Sequence, residues 1–191
     1  MRPRDERKEQ AICDASISLI TSKGLADTSM SMIARKAKVS PATIYIYFTN
    51  KEDLLNQLYY RLKRALRKKV FTGYESFLPL DQAFETIWKN MYNYFLTHPE
   101  HFAFLEQFDH SPLVLRINEE EGNTYYQPIY ELFEKGKRNR MIRDLPNEVL
   151  LSFTFHPMIQ LVKFHNTGAF SMNDHELSSA ARMAWDTVRT R

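Results

Sequence analysis

Apolar residues recur at helical spacing along most of the chain, and residues 28–48, TSMSMIARKAKVSPATIYIYF, show the sharpest pattern. An apolar stripe with a period near 3.6 predicts a short helix at the start of this segment. The stripe consists of Met30, Ile33, Ala34 and Ala37. Ser40 is a favourable N-cap and Pro41 suits the first helical position, so a second helix is expected from Pro41 to Phe48. Two short helices joined so closely indicate a helix-turn-helix.

The rest of the chain also follows helical periodicity, and no segment alternates as a strand does. Further helices are predicted over residues 5–23, 50–70, 81–96, 100–108, 119–141, 146–166 and 174–189. Gly24 is expected to end the first of these, and Pro128 to kink the long helix over 119–141. A turn-rich segment over 73–79 marks a domain boundary. The fold is therefore predicted to be all-α.

Charge is divided unevenly along the chain. Residues 1–70 contain 15 Lys and Arg against 7 Asp and Glu, whereas residues 71–191 contain 11 against 16. A basic first third and an acidic remainder fit a polyanion-binding head on a separate body. Together with the helix-turn-helix, this asymmetry favours double-stranded DNA as a partner.

Several functional classes find no support in the sequence. The single Cys13 gives neither a disulfide framework nor a paired thiolate metal site, so a reducing, cytoplasmic location is expected. The charged N-terminus lacks a signal peptide's apolar core, and Lys163 interrupts the most apolar run, so no membrane span is predicted. His98 and His101 have metal-ligand spacing without a third ligand in register, and phosphate-loop and hydrolase motifs are missing. We expect no enzymatic activity and no cofactor.

The tip of the second short helix is the first candidate for DNA contact. Ser40, Pro41 and Ala42 have small side chains, which let the backbone approach base edges and place a methyl group near thymine. Thr43 can bond a base edge or a phosphate. The sequence therefore predicts that this end of the helix enters a major groove.

Other candidates lie where helices begin. Thr28 and Ser29 can offer hydroxyl and helix-end N–H groups to a phosphate. Lys51 begins a helix, where the helix dipole disfavours a positive charge, and a phosphate partner would explain it. A solvated lysine is the alternative.

Specific recognition also predicts a homodimer. One recognition helix reads only a few base pairs, so two copies on one face of the duplex and a palindromic site are expected. The last two long helices, over 146–166 and 174–189, are the predicted dimer face. Small residues form a stripe on the second of them: Leu177, Ala180, Ala181, Ala184 and Val188. The same stripe could instead be buried in the chain's own core.

Aromatic residues are dense between residues 88 and 130, and they suggest a ligand pocket. Such side chains can line an apolar cavity between helices, although they also build ordinary cores. A ligand of this cavity is expected to be hydrophobic or aromatic. The candidate contacts are Trp88, Tyr92, Phe95, Phe102, Phe108 and Tyr125.

Residues 5–55 resemble the DNA-binding domain of the TetR family of transcriptional regulators. The matching residues are Gly24, Thr28, Ser29, Ile33, Ala34, Ala37, Val39, Ser40, Thr43, Tyr45, Tyr47, Phe48, Lys51, Glu52 and Leu54. In a family-like pose Ser31 faces the bases, Tyr45 lies near a base or phosphate, and Tyr47 lies against a phosphate. Core packing is the alternative for both tyrosines. Ile46 departs from the family pattern, which often has a polar or basic residue there.

The resemblance implies an N-terminal three-helix helix-turn-helix DNA-binding domain over 1–49, a connecting fourth helix over 50–72 and a C-terminal helical effector-binding and dimerisation domain over 73–191. It further implies a repressor that binds a palindromic operator as a homodimer. An unknown small-molecule effector would shift the fourth helix and release the DNA. The alternative is a helix-turn-helix regulator whose C-terminal domain binds a protein partner.

Overall fold

The structure, a computed structural model, describes residues 5–75, 77–116 and 119–190, without the side chains of residues 115, 116 and 119–125. The described residues form ten α-helices and one 3-10 helix, and they contain no β-strand. The helices are α1 (Glu6–Lys23), α2 (Met30–Lys36), α3 (Pro41–Tyr47), α4 (Lys51–Val70), α5 (Leu80–Thr97), α6 (Pro99–Asp109), the 3-10 helix Pro112–Arg116, α7 (Glu119–Arg138), α8 (Asn147–Thr154), α9 (His156–Asn166) and α10 (Asp174–Val188). The predicted all-α fold is confirmed.

Local capping explains where the first helices begin and end. The Asp5 side chain accepts the Arg7 N–H at 3.0 Å and starts α1. Gly24 ends α1 with a φ of 94°, a conformation that glycine adopts without a steric penalty. The Ser40 hydroxyl accepts the Thr43 N–H at 3.1 Å and starts α3. These caps match the start and stop signals in the sequence.

Two short helices, α8 and α9, replace the single helix predicted over 146–166. The break follows from Pro157, which has no N–H to donate to the Phe153 carbonyl and whose ring crowds that carbonyl. The Phe153 oxygen instead accepts the Thr187 hydroxyl at 3.4 Å. By contrast, α7 continues through Pro128.

The chain packs as two compact units that do not follow chain order. Unit 1 combines Met1–Lys63 with His98–Asn118. In this unit α1 packs against α2 and α6, and α2 packs against α3. Tyr59 of α4 stacks on Phe108 of α6 with ring centroids 4.5 Å apart. Unit 1 therefore supports the helix-turn-helix with a helix from much later in the chain.

Unit 2 combines Arg64–Thr97 with Glu119–Arg191. Its central helix is α5, which packs against α7, α9 and α10. The buried Trp88 donates its indole N–H to the Thr154 carbonyl at 3.0 Å and so ties α5 to α8. A Cβ atom at Gly136 would lie 2.5 Å from Cδ1 of Ile142, so glycine permits this close packing.

The small-residue stripe of α10 faces the core of unit 2. Four of its five members are buried, and α10 packs against α5 and α8. The buried members are Leu177, Ala181, Ala184 and Val188. The stripe thus serves the chain's own core, which is the alternative that the sequence left open.

Candidate nucleic-acid interface

A tight turn joins α2 to α3 in unit 1. The Ser29 hydroxyl accepts the Met32 N–H at 3.3 Å and caps α2. Lys38 takes a left-handed φ of 56°, and the next N–H, of Val39, bonds to the Ala34 carbonyl at 3.0 Å. This left-handed residue turns the chain sharply enough for α3 to begin after only four intervening residues.

The two faces of α3 differ completely in exposure. Ile44 and Tyr47 are buried against the other helices of unit 1. The opposite face is exposed, with Tyr45 54% and Ile46 63% accessible, and it continues to the helix start. Its members are Pro41, Ala42, Tyr45 and Ile46. Of the two predicted tyrosine contacts, Tyr45 therefore projects outward.

Tyr47, in contrast, is only 6% exposed. Its hydroxyl accepts the Asp5 backbone N–H at 3.1 Å and donates to the Asp5 carbonyl at 3.2 Å. This pair of bonds fixes the start of α1 to the end of α3. The arrangement fits the core-packing alternative for Tyr47 and leaves its hydroxyl engaged with backbone.

Two further predicted phosphate contacts also bond to the backbone. Thr28 is buried, and its hydroxyl donates to the Gly24 carbonyl at 2.9 Å. The Lys51 ammonium donates to the Leu25 carbonyl and lies 3.5 Å from the Ala26 carbonyl. These two carbonyl groups explain why a lysine can begin α4. The sequence had suggested a phosphate partner or a solvated lysine instead.

The remaining predicted DNA contacts lie at the surface of unit 1. Ser29 and Ser31 are exposed, with hydroxyl oxygens 3.0 Å apart. Ser40 is exposed and Thr43 half-buried, and their hydroxyl oxygens are 2.7 Å apart. Small polar groups thus lie at the N-terminal ends of both α2 and α3.

Sequence reasoning did not single out the basic residues beside α3. Arg35, Lys36 and Lys38 are all exposed. The chain has no acidic residue from Ser29 to Lys51, so no carboxylate of this segment offsets their charge. That acid-free run is the signal that could have identified them. We call Arg35, Lys36 and Lys38 the basic rim. A basic rim beside a helix that is small enough to enter a groove of DNA suits a polyanion.

The predicted effector contacts divide between the two units. Trp88, Tyr92 and Phe95 are buried on α5 in unit 2, whereas Phe102 and Phe108 are buried on α6 in unit 1. The side chain of Tyr125 lies outside the described side chains. The residues that the sequence treats as one set therefore do not share one core.

Tyr92 differs from its neighbours in its polar group. Its side chain is 1% exposed, and its hydroxyl has no hydrogen-bond partner among the described residues. Burial also raises the pKa of this phenol. A buried hydroxyl without a partner is costly, so Tyr92 is a group in the core of unit 2 that a bound polar atom would stabilise.

The described residues contain no cluster of three or more metal-ligating side chains. The rings of His98 and His101 stack with centroids 5.0 Å apart, and burial lowers the pKa of His101. Within the same residues, no helix is long and apolar enough to cross a bilayer.

An all-α chain with an outward recognition helix and a basic rim defines a helix-turn-helix DNA-binding protein. Residues 12–58 match the family model described as bacterial regulatory proteins of the tetR family, and residues 79–189 match that of tetracyclin repressor-like C-terminal domains. The second match alone spans more than half of the chain. The chain therefore belongs to the TetR family of bacterial transcriptional regulators.

Individual relatives agree with this assignment. An HTH-type transcriptional regulator of Haemophilus influenzae is 23% identical over 190 residues, which cover 99% of this chain and 100% of the relative. The crystal structure of a TetR family transcription regulator from Marinobacter aquaeolei VT8 is 29% identical, with a TM-score of 0.88 over 100% of both chains. A TetR family protein from Vibrio parahaemolyticus is 28% identical, with a TM-score of 0.82 over 96% of this chain and 100% of the other. The chain is thus a transcriptional regulator and not an enzyme.

Proposed function

We propose that this chain is a repressor that binds a palindromic operator as a homodimer and leaves it when a hydrophobic or aromatic small molecule binds. The outward face of α3 carries the proposal, because its exposed side chains lie beside a basic rim without acidic residues. A helix of this size presented in this way can enter a major groove with its N-terminal end first.

The DNA contacts divide into outward and supporting groups. The tip of α3, Tyr45 and Ser31 meet the bases, while the Ser29 hydroxyl at the start of α2 and the basic rim meet phosphates. The outward contacts are Ser29, Ser31, Lys36, Lys38, Ser40, Pro41, Ala42, Thr43 and Tyr45. Thr28, Tyr47 and Lys51 support this surface from behind, since their polar groups bond to backbone.

A second copy of the chain is the proposed occupant of an exposed apolar face on unit 2. Pro157 and Phe164 are seven residues apart on one side of α9, and Phe153 is exposed near the end of α8, just before α9 begins. Met183 of α10 lies one turn before Thr187, which bonds to the Phe153 carbonyl. Phe153 is 61% and Met183 69% exposed. We call Phe153, Pro157, Phe164 and Met183 the C-terminal apolar face.

Burial between two copies fits this face better than exposure to solvent, because large apolar groups gain by leaving water. A twofold pairing also supplies the second recognition helix that a palindromic operator needs. The dimer contact is therefore proposed on the outward surface of the last helices instead of the small-residue stripe of α10.

The Tyr92 hydroxyl, which has no hydrogen-bond partner among the described residues, supports a small-molecule effector in preference to a protein partner. A protein bound at the surface cannot reach a hydroxyl that is 1% exposed, whereas a ligand within the core can satisfy it. Trp88 and Phe95 lie on the same helix and would add apolar contact. The helix α4 contributes residues to both units, so it is the proposed route of coupling.

Operator binding is tested by selecting duplexes from a random pool with the purified full-length protein. We expect an inverted repeat to be enriched, and its affinity to fall steeply with salt. Enrichment of a single asymmetric site by a monomer would contradict the dimeric reading. Failure to enrich any duplex would overturn the proposal itself.

The effector is tested by a thermal-shift screen of hydrophobic and aromatic compounds. A true effector raises the melting temperature, and it also releases the selected duplex. Tyr92→Phe should weaken that compound's binding while it leaves the affinity for DNA unchanged. If no compound shifts the melting temperature, the better hypothesis is that the C-terminal part binds a protein partner.

A further inference from the structure

The recognition helix α3 lacks every side chain that forms paired hydrogen bonds with a base. Its sequence, PATIYIY, contains no Arg, Lys, Asn, Gln, Asp or Glu. Bidentate contacts in the major groove use Arg or Lys for guanine and Asn or Gln for adenine, and Asp or Glu accept from cytosine. Bidentate reading of those base edges is therefore not available to α3.

The polar groups that remain on α3 are few. The hydroxyl oxygens of Ser40 and Thr43 lie 2.7 Å apart, and that of Ser40 also accepts the Thr43 N–H. The Tyr47 hydroxyl bonds to the Asp5 backbone. Only the Tyr45 hydroxyl projects from the outward face, so the rest of this face must act through carbon atoms.

The apolar part of the face forms one stripe. Ala42 and Ile46 are four residues apart and lie one above the other on the helix, with Pro41 at its start. Ile46 is 63% exposed, and the neighbouring Arg35, Lys36 and Lys38 are exposed as well. An isoleucine side chain exposed to this extent among basic residues suits a surface that is anionic overall and apolar locally.

The major groove of DNA offers one apolar group, the C5-methyl of thymine. We propose that Ile46 and Ala42 set the base preference of this regulator by packing against thymine methyl groups. The operator half-site then carries T·A pairs where this stripe meets the groove. The proposal rests on the operator binding proposed above, and it adds which base is read and by which side chains.

The test begins with the duplex that full-length protein selects from a random pool. In each half-site, thymine is replaced by uracil, which lacks only the C5-methyl group. We expect the dissociation constant, measured by fluorescence anisotropy, to rise by about fourfold for each contacted methyl, on the scale of one buried methyl group. Uracil placed outside the selected half-sites is the matched DNA control and should have no effect.

Protein variants assign the effect to the stripe. Ile46→Ala should bind the thymine and uracil duplexes with nearly equal affinity, whereas Ile46→Val should keep most of the discrimination. Phe77→Ala removes a still more exposed apolar side chain elsewhere, since Phe77 is 80% exposed, and should behave as the unchanged protein.

The outcomes separate the two proposals. A selected site that binds tightly but does not respond to uracil overturns the thymine proposal and leaves operator binding intact. The same holds if Ile46→Ala keeps the full discrimination, or if the selected half-sites consist of G·C pairs. If no duplex is selected, operator binding itself fails and the thymine proposal falls with it.

Discussion

Both units expose large apolar side chains, but in different surroundings. In unit 1, Tyr45 and Ile46 lie on a seven-residue helix next to exposed basic residues. In unit 2, Phe153, Phe164 and Met183 lie on longer helices in the acidic part of the chain. Exposure alone therefore does not identify a partner. Exposed basic residues near the first face favour DNA there, whereas the second face belongs to a part of the chain whose overall charge is negative and does not favour DNA.

The largest expected effect comes from placing charge on the C-terminal apolar face. If the chain pairs as proposed, Phe153→Glu combined with Met183→Glu should leave it monomeric, because repulsion and desolvation oppose pairing. Affinity for the palindromic duplex should then fall by about 100-fold or more, since the two half-sites no longer bind as a linked pair. Analytical ultracentrifugation measures the mass, and Phe77→Glu is the control. A double variant that remains dimeric would place the dimer contact elsewhere.

A matched pair of variants on α3 separates contact from support. Tyr45→Phe and Tyr47→Phe remove the same hydroxyl from opposite faces of one helix. Tyr45→Phe should weaken operator binding by up to about tenfold and leave the free energy of unfolding unchanged. Tyr47→Phe should lower the free energy of unfolding by about 1 kcal/mol, because its hydroxyl bonds to Asp5 backbone. Urea unfolding measures the stability effect and fluorescence anisotropy measures the binding effect. If Tyr45→Phe lowered stability and Tyr47→Phe weakened operator binding, the roles that we assign to the two faces of α3 would be wrong.

The basic rim should appear in the salt dependence of binding. Lys36→Gln is expected to reduce the slope of log affinity against log salt by about 0.9, the value for one phosphate contact. Lys68→Gln removes an equally exposed charge from the end of α4 and should leave the slope unchanged. Equal slopes for the unchanged protein, Lys36→Gln and Lys68→Gln would exclude Lys36 from the interface.

The units should also differ in their response to alkali. Burial raises the pKa of Tyr94 to about 12, and it raises the pKa values of Tyr92 and Tyr130, all in unit 2. An unfolded tyrosine titrates near pH 10, so the stabilisation from the protonated Tyr94 is complete below about pH 10. It is lost as pH rises from there toward 12.

Urea midpoints measured between pH 9 and 11.5 test this loss of stability at alkaline pH. The midpoint of the unchanged protein should fall above pH 10, and that of Tyr94→Phe should fall less steeply. Parallel curves for the two proteins would show that Tyr94 does not carry the alkaline loss. This effect is the smallest of the four, because several tyrosines share it.

Much of the fold could be predicted because local signals decide it. The Ser40 cap, the Gly24 stop and the apolar stripe of α2 depend on neighbouring residues, and the structure confirms the elements that they predict. The break between α8 and α9 was missed although its cause, Pro157, is also local. A predicted helix with a proline near its middle can continue, as α7 does through Pro128.

The interface could be predicted only in part, because periodicity shows that a face is buried but not what covers it. The small-residue stripe of α10 fitted a partner helix and the chain's own α5 equally well. Thr28 and Lys51 have polar groups that suit a phosphate. Only the three-dimensional structure shows that these groups bond to backbone carbonyls. Phe108 was grouped with Trp88 by composition, yet its contact with Tyr59 belongs to unit 1.

The bonds between Tyr47 and the backbone of Asp5 have a practical consequence for handling the protein. They hold the beginning of α1 against the end of α3, so any purification tag fused ahead of Asp5 emerges beside the last turn of that helix. A tag fused after Thr190 instead emerges from unit 2, where the Thr190 N–H bonds to the Met141 carbonyl. Affinity measurements and immobilisation should therefore avoid an N-terminal tag.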